Sequence, residues 1–133
     1  MSETPIKPSI LVADDDADVL EQTRMHLEAA GYNVVAAESE KEAIEKLETF
    51  QPDLAVLDLM MENQDSGFIL AYKIKRANPQ TPVILVTAVT SQTGIAFDVN
   101  PGQEGSWIKA DVILEKDIRY EQLLGEIKRL LKK

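Results

Sequence analysis

The sequence predicts an α/β domain built on a doubly wound parallel sheet with helices on both faces. Short apolar runs alternate with amphipathic stretches along most of the chain, as expected of strands joined by right-handed helical crossovers. The runs are almost wholly apolar, which suits strands covered on both sides. Polar groups fall at their ends, most tellingly Asp58 after Leu54-Ala55-Val56-Leu57.

Residues 1–8 are polar with two prolines and read as a flexible leader, leaving 9–133 as one domain. The first strand is Ile10-Leu11-Val12-Ala13, followed by Asp14-Asp15-Asp16. Residues 17–30 then place Val19, Leu20, Leu27 and Ala30 on one helix face, and Gly31 stops the helix. Val34-Val35-Ala36 is a second strand. Ser39 is a plausible N-cap, and Glu42 completes a capping box ahead of Ala43, Ile44 and Leu47. Gln51-Pro52 breaks that helix before the strand ending at Asp58.

A loop over residues 60–66 leads to a third helix carrying Leu70, Ala71, Ile74 and Ala77, ended by Asn78-Pro79. Residues 82–86 form the fourth strand, with Thr87 at its end, and 112–114 the fifth, shortly before Lys116. Between them, over residues 89–110, Gly94, Pro101, Gly102 and Gly105 interrupt any long helix. A loop of that length inside a compact domain is often functional. The last helix has the clearest stripe, Tyr120, Leu123, Leu124, Ile127 and Leu131. Its Lys128, Arg129, Lys132 and Lys133 suit the negative end of the helix dipole.

Composition removes several classes of function. The 133 residues carry 23 acidic against 14 basic side chains, a net charge of −9 that repels nucleic acid. The chain has no cysteine, hence no disulfide, thiolate nucleophile or Cys-based zinc site. No apolar stretch approaches membrane-spanning length and the N-terminus has no signal-peptide core, so we expect no membrane association and a cytoplasmic location. A G-x-x-x-x-G-K-[ST] phosphate loop is absent. The first strand-end loop is acidic, so it would repel the phosphate of a flavin.

What remains are four strand ends that converge on one chemistry. In a doubly wound sheet, ligands bind beyond the carboxyl ends of the strands, where the strand order reverses. Magnesium takes hard oxygen ligands and keeps several waters, so two or three carboxylates suffice. Without a cation, two such charges 4 Å apart repel by about 4 kcal/mol at an effective dielectric near 20. Asp58 could then serve as nucleophile toward a phosphoryl group and form an acyl phosphate. Lys116 can pair with the carboxylate or the phosphoryl oxygens, and the Thr87 hydroxyl can donate to the latter.

Each residue also has a plainer reading. Asp14, Asp15 and Asp16 can cap the first helix, and Asp16 is better placed as the cap than as a ligand. Asp58 can be a strand-end turn residue, although a carboxylate after four apolar positions needs a partner. Thr87 is β-branched and at home in a strand, and Lys116 can be a solvated loop charge. His26 reads as structural or surface, and Trp107 as an anchor onto the sheet.

Taken in order, the runs ending Ala13-Asp14-Asp15-Asp16, Leu57-Asp58-Leu59-Met60-Met61, Val86-Thr87-Ala88 and Glu115-Lys116 resemble the receiver domain of bacterial two-component response regulators, over residues 9–132. The resemblance implies a flavodoxin-like five-stranded sheet of order 2-1-3-4-5 and phosphoryl transfer from a histidine kinase or phosphotransfer protein onto Asp58. It implies Mg2+ held by Asp15, Asp58 and the Met60 carbonyl, with Asp14 acting largely through water. It further implies a conformational switch that controls a downstream protein effector, with homodimerisation possible. No output domain follows in this sequence, so a stand-alone receiver, or a receiver trimmed from a longer protein, is expected.

The sequence departs from the family pattern at several positions. Glu62 stands where a proline is usual, Asp117 follows the lysine in place of proline, and Ile113 occupies the switch aromatic's position. One extra residue lies in Glu62-Asn63-Gln64-Asp65-Ser66-Gly67, and residues 89–110 do not read as the regular helix of that region. In receivers, the positions two after the aspartate and two after the threonine influence water attack on the phosphoryl group. Here they are Met60 and Val89, neither able to orient water. Self-dephosphorylation is therefore expected to be slow: acyl phosphate followed over time should persist well beyond seconds at neutral pH, and decay within seconds would contradict this.

Two other classes compete. A magnesium phosphohydrolase of the haloacid dehalogenase type would use Asp14-x-Asp16, but leaves Asp58 without a role. A receiver-like docking module would keep the fold and never accept phosphate.

Overall fold

The computed structural model describes residues 7–59, 61, 66–87, 110–115 and 119–131. Met60, Glu62, Val89, Trp107, Lys116 and Asp117, together with most of the leader and of segment 89–110, lie outside the described residues. The elements run β1 (Ser9–Ala13), α1 (Ala17–Ala29), β2 (Asn33–Ala37), α2 (Glu40–Leu47), β3 (Leu54–Asp58), α3 (Ser66–Ala77), β4 (Val83–Thr87), β5 (Val112–Glu115) and α4 (Tyr120–Leu131). The strands form one parallel sheet of order β2-β1-β3-β4-β5. This is the expected doubly wound, flavodoxin-like architecture; β1, β2, β3 and β5 are a residue or two longer than their apolar runs, and β4 is shifted one residue onward to end at Thr87.

Side chains alternate across a strand, so each strand feeds two cores. Ile10, Val12, Leu54, Val56, Ile84 and Val86 pack with Leu20 and Leu27 of α1 and Leu123 and Ile127 of α4. Their neighbours Leu11, Ala13, Ala55, Leu57, Val83 and Leu85 pack on the other face with Ala43 of α2 and Leu70 and Ile74 of α3. Burial on both faces is what the unbroken apolar runs require. Among the described residues, no helix is long and apolar enough to cross a membrane.

Helix ends follow local chemistry. Asp16 caps α1, its carboxylate accepting from the Asp18 and Val19 N–H groups. At the other end, the Tyr32 N–H donates to the Leu27 carbonyl and the Gly31 N–H to Glu28, a Schellman arrangement. It requires a left-handed residue, and Gly31 supplies φ 101° without Cβ strain. Ser39 caps α2 through the Glu42 N–H, but the Glu42 carboxylate reaches back to the Glu38 N–H, one residue earlier than a standard capping box.

Five positions differ from the sequence reading. Ala30 and Ala77 are exposed, because the helix ends on which they sit run past the packed turns. Leu130 joins Leu123 and Ile127 on the buried stripe of α4, whereas Leu124 and Leu131 flank it half-buried.

The start of the sheet's far side is braced by Asp111. Its carboxylate accepts from the Val83 N–H and from the Lys75 ammonium, both at 2.8 Å, tying β4, α3 and the entry to β5 together. Removing the acceptor strands a part-buried N–H, while the half-exposed ion pair itself is worth little. Asp111→Ala is expected to lower unfolding free energy by about 1–2 kcal/mol in denaturant titration, and Asp111→Asn by about half that. Equal losses in the two variants would contradict this assignment.

Candidate functional site

The strand order places β1 and β3 side by side where the winding direction reverses. In that pair Ala13 is in register with Leu57. The next residues, Asp14 and Asp58, therefore leave the sheet at one level on neighbouring strands, which are about 4.8 Å apart. Both follow the alternation of Val12 and Val56 and so fall on the face covered by α1 and α4. One carboxylate oxygen each from Asp14, Asp15 and Asp58 lies within 4.8 Å of the others. Register alone accounts for the Asp14–Asp58 approach, and Asp15 joins from the loop.

The three acids differ in environment. Asp14 and Asp58 are 6% and 5% exposed, whereas Asp15 is open to solvent. The Asp14 carboxylate accepts from the Asp16 N–H at 2.9 Å, and the Asp14 N–H donates to the Ala37 carbonyl at 3.1 Å. The side chain is thereby oriented before any ligand arrives. Asp16, adjacent in sequence, is exposed and spends its carboxylate on the helix cap, as expected. Asp14-x-Asp16 is thus a site residue and a cap, which speaks against the phosphohydrolase motif.

Thr87 closes β4 at 2% exposure, one residue beyond Val86, which is in register with Asp58. It is paired in turn with Glu115 on β5. Lys116 and Met60 lie outside the described residues. The described part of the predicted set, Asp14, Asp15, Asp58 and Thr87, comes together at the carboxyl edge of β1, β3 and β4.

Sequence reading missed the contacts that join Leu59, next to Asp58, to β4 and to the start of α3. The Leu59 N–H donates to the Val86 carbonyl, and the Gly67 N–H donates back to the Leu59 carbonyl, both at 2.8 Å. A Cβ on Gly67 would stand 2.7 Å from the Leu59 Cα and 2.9 Å from the Asp58 carbonyl oxygen. Only glycine permits that approach. Beside it, fully buried Ser66 donates its hydroxyl to the Glu40 carboxylate at 2.8 Å, fastening the start of α3 to the start of α2. The available signal was Ser66-Gly67 immediately before a helix, but such a pair also reads as an ordinary cap.

The oxygen-rich, partly buried donor set fits a magnesium ion, which prefers carboxylates and retained waters. Nothing in it favours a soft metal, for the chain has no cysteine.

The sequence profile of the response regulator receiver domain matches residues 10–128. The chain belongs to the response regulator receiver domain family. It is 30% identical over 124 residues to the alkaline phosphatase synthesis transcriptional regulatory protein PhoP of Bacillus subtilis, covering 93% of this chain and 48% of that protein. It is 32% identical over 124 residues to the response regulator MprA of Mycolicibacterium vanbaalenii, covering 93% and 50%. The receiver thus spans about half the length of these relatives. Among solved structures, a CheY-like receiver domain protein from Methanospirillum hungatei superposes with a TM-score of 0.80 at 28% identity, covering 96% of this chain and 95% of that one. The response regulator TrrA from Thermotoga maritima, solved in complex with Mg2+ and a beryllium fluoride, gives 0.74 at 27% identity, covering 94% and 99%. Receivers are in general signalling modules and not enzymes.

Proposed function

We propose that this receiver is a phosphoacceptor switch in which Asp58 takes the phosphoryl group. The observation that carries the reading is the cluster of Asp14, Asp15 and Asp58 at the sheet's switch point. An Asp58 oxygen attacks phosphorus, an O–P bond forms, and the P–N bond of a phosphohistidine donor breaks to release imidazole. The donor is a sensor histidine kinase or phosphotransfer protein. Asp14, Asp15, Asp58 and the Met60 carbonyl would hold Mg2+, which would neutralise the carboxylates and the incoming phosphoryl oxygens. Thr87 donates to the phosphoryl group and Lys116 pairs with it. Their displacement shifts a pre-existing equilibrium of the surrounding loops and so controls a protein effector or a second copy of the receiver. The domain comprises residues 9–133 behind a leader of residues 1–8, and acyl phosphate persists because Met60 and Val89 orient no water.

Ile113 bears on the output. It packs half-buried against the core beside α2 and α3, where the family's pattern has an aromatic switch residue. The response is therefore carried by the Thr87 and Lys116 loops and not by rotation of a ring.

Linkage supplies a test against the docking-module alternative. A ligand that binds only the folded state at a hundredfold excess over its Kd stabilises by about 2.7 kcal/mol. Mg2+ with beryllofluoride should raise the unfolding midpoint of the wild-type protein well beyond the effect of either alone. In Asp58→Asn the joint effect should vanish. No joint effect in the wild type would favour the docking module.

A further inference from the structure

At the opposite edge of the sheet from the carboxylates, a cavity of about 680 Å³ opens between the C-terminal ends of α2 and α3. Its volume is well inside the range for small-molecule sites. Pro52 and Thr81 line it shortly before β3 and β4 begin, so a whole strand length separates it from Asp58. Ile44, Leu47, Phe50 and Ile74 give it an apolar wall, continuous with the core on the α2 and α3 side of the sheet.

Three polar side chains around that wall are unmatched. Thr81 is 4% exposed; its N–H donates to the Asn78 carbonyl, but among the described residues its hydroxyl has no hydrogen-bond partner. Every fully buried side-chain oxygen or nitrogen among the described residues does have one, so the Thr81 hydroxyl is open to the cavity it lines. Lys73 and Glu48 line the cavity as well, both exposed and, among the described residues, neither in an ion pair. Nearby lysines are committed elsewhere, Lys75 to Asp111 at 2.8 Å and Lys46 to Glu42 at 3.9 Å.

An apolar wall, a buried hydroxyl and one unpaired charge of each sign select a particular chemistry. A hydrocarbon would cover the Thr81 hydroxyl without giving it a partner, at a desolvation cost. An anion would match Lys73 and meet repulsion from Glu48, and a cation the reverse. A zwitterion matches both.

We propose that this cavity binds a small zwitterion with an apolar body, the chemistry of a free α-amino acid with a large apolar side chain. Its carboxylate faces Lys73, its ammonium faces Glu48, and its side chain lies against Ile44, Leu47, Phe50 and Ile74. The Thr81 hydroxyl supplies a further hydrogen bond.

The test is an NMR titration of the full chain with L-phenylalanine, following the Ile44, Leu47 and Ile74 methyl groups. Saturable methyl shifts are expected at ligand concentrations up to about 10 mM. 3-Phenylpropionate lacks the ammonium and phenethylamine the carboxylate; each should bind about threefold or more weakly, the scale of one exposed ion pair. Glu48→Gln should erase the preference over 3-phenylpropionate, and Lys73→Gln that over phenethylamine. Thr81→Val keeps the shape, loses the hydroxyl and should weaken L-phenylalanine by about fivefold. Ala77→Phe, at the exposed end of α3, sets a ring in the cavity and should abolish binding. No saturable shift, equal affinity for the three ligands, or unchanged affinity in Ala77→Phe would each overturn the proposal. None of these readouts depends on phosphoryl uptake at Asp58.

Discussion

Gly67→Ala is expected to be the most destabilising single-methyl change in this receiver, costing about 3 kcal/mol or more of unfolding free energy. The new Cβ would meet the Leu59 Cα at 2.7 Å, the Asp58 carbonyl oxygen at 2.9 Å and the Leu85 Cδ2 at 2.9 Å. Two of these are backbone atoms and cannot turn aside as a side chain tip does. Relief requires α3 to move away from β3, and that motion breaks the Gly67–Leu59 hydrogen bond and the Ser66–Glu40 contact. The same displacement pulls on the peptide that follows Asp58, so any variant protein that folds should also bind Mg2+ more weakly. Urea titration gives the stability loss and a magnesium titration the second effect. A loss under about 0.5 kcal/mol, the scale of a neutral surface change, would mean that the close approach is not a constraint.

Gly31 is a useful contrast. A Cβ there meets nothing within 4 Å, so only its φ of 101° opposes substitution. Gly31→Ala should therefore cost less than Gly67→Ala, though only Gly31 stands out in the sequence.

That difference marks how far the sequence is legible. The apolar runs disclosed the strands because burial on both sheet faces leaves no room for polar residues. Asp14, Asp58 and Thr87 were visible because each interrupts such a run where interruption costs desolvation. Asp16 and Ser39 were readable as caps because capping needs only a short polar side chain ahead of a helix. The Ser66–Glu40 contact and the Gly67 approach were not, since both join segments distant in the chain and neither residue type is unusual before a helix. The stacking of His26 on Tyr120 was hidden for the same reason: it joins α1 to α4, and nothing in either helix's periodicity specifies the pairing. Leu130 was overlooked because the stripe of α4 can be drawn through Leu131 equally well until the helix is docked.

Asp58 carries the largest functional consequence. It is nearly fully buried, at a strand end, beside two further carboxylates, an arrangement that packing alone would not favour: two such charges at that separation repel by about 3 kcal/mol at an effective dielectric near 20. Asparagine keeps the shape and the hydrogen-bonding capacity and removes both the charge and the nucleophilic oxygen pair. Asp58→Asn should therefore fold while losing phosphoryl uptake completely. The decisive measurement is intact mass after incubation with acetyl phosphate and Mg2+, with peptide mapping of the product. The wild-type chain should gain the mass of one phosphoryl group on the peptide containing Asp58, and Asp58→Asn should gain none. No gain in the wild type, an undiminished gain in Asp58→Asn, or a phosphoryl group mapped to Asp14 would contradict it.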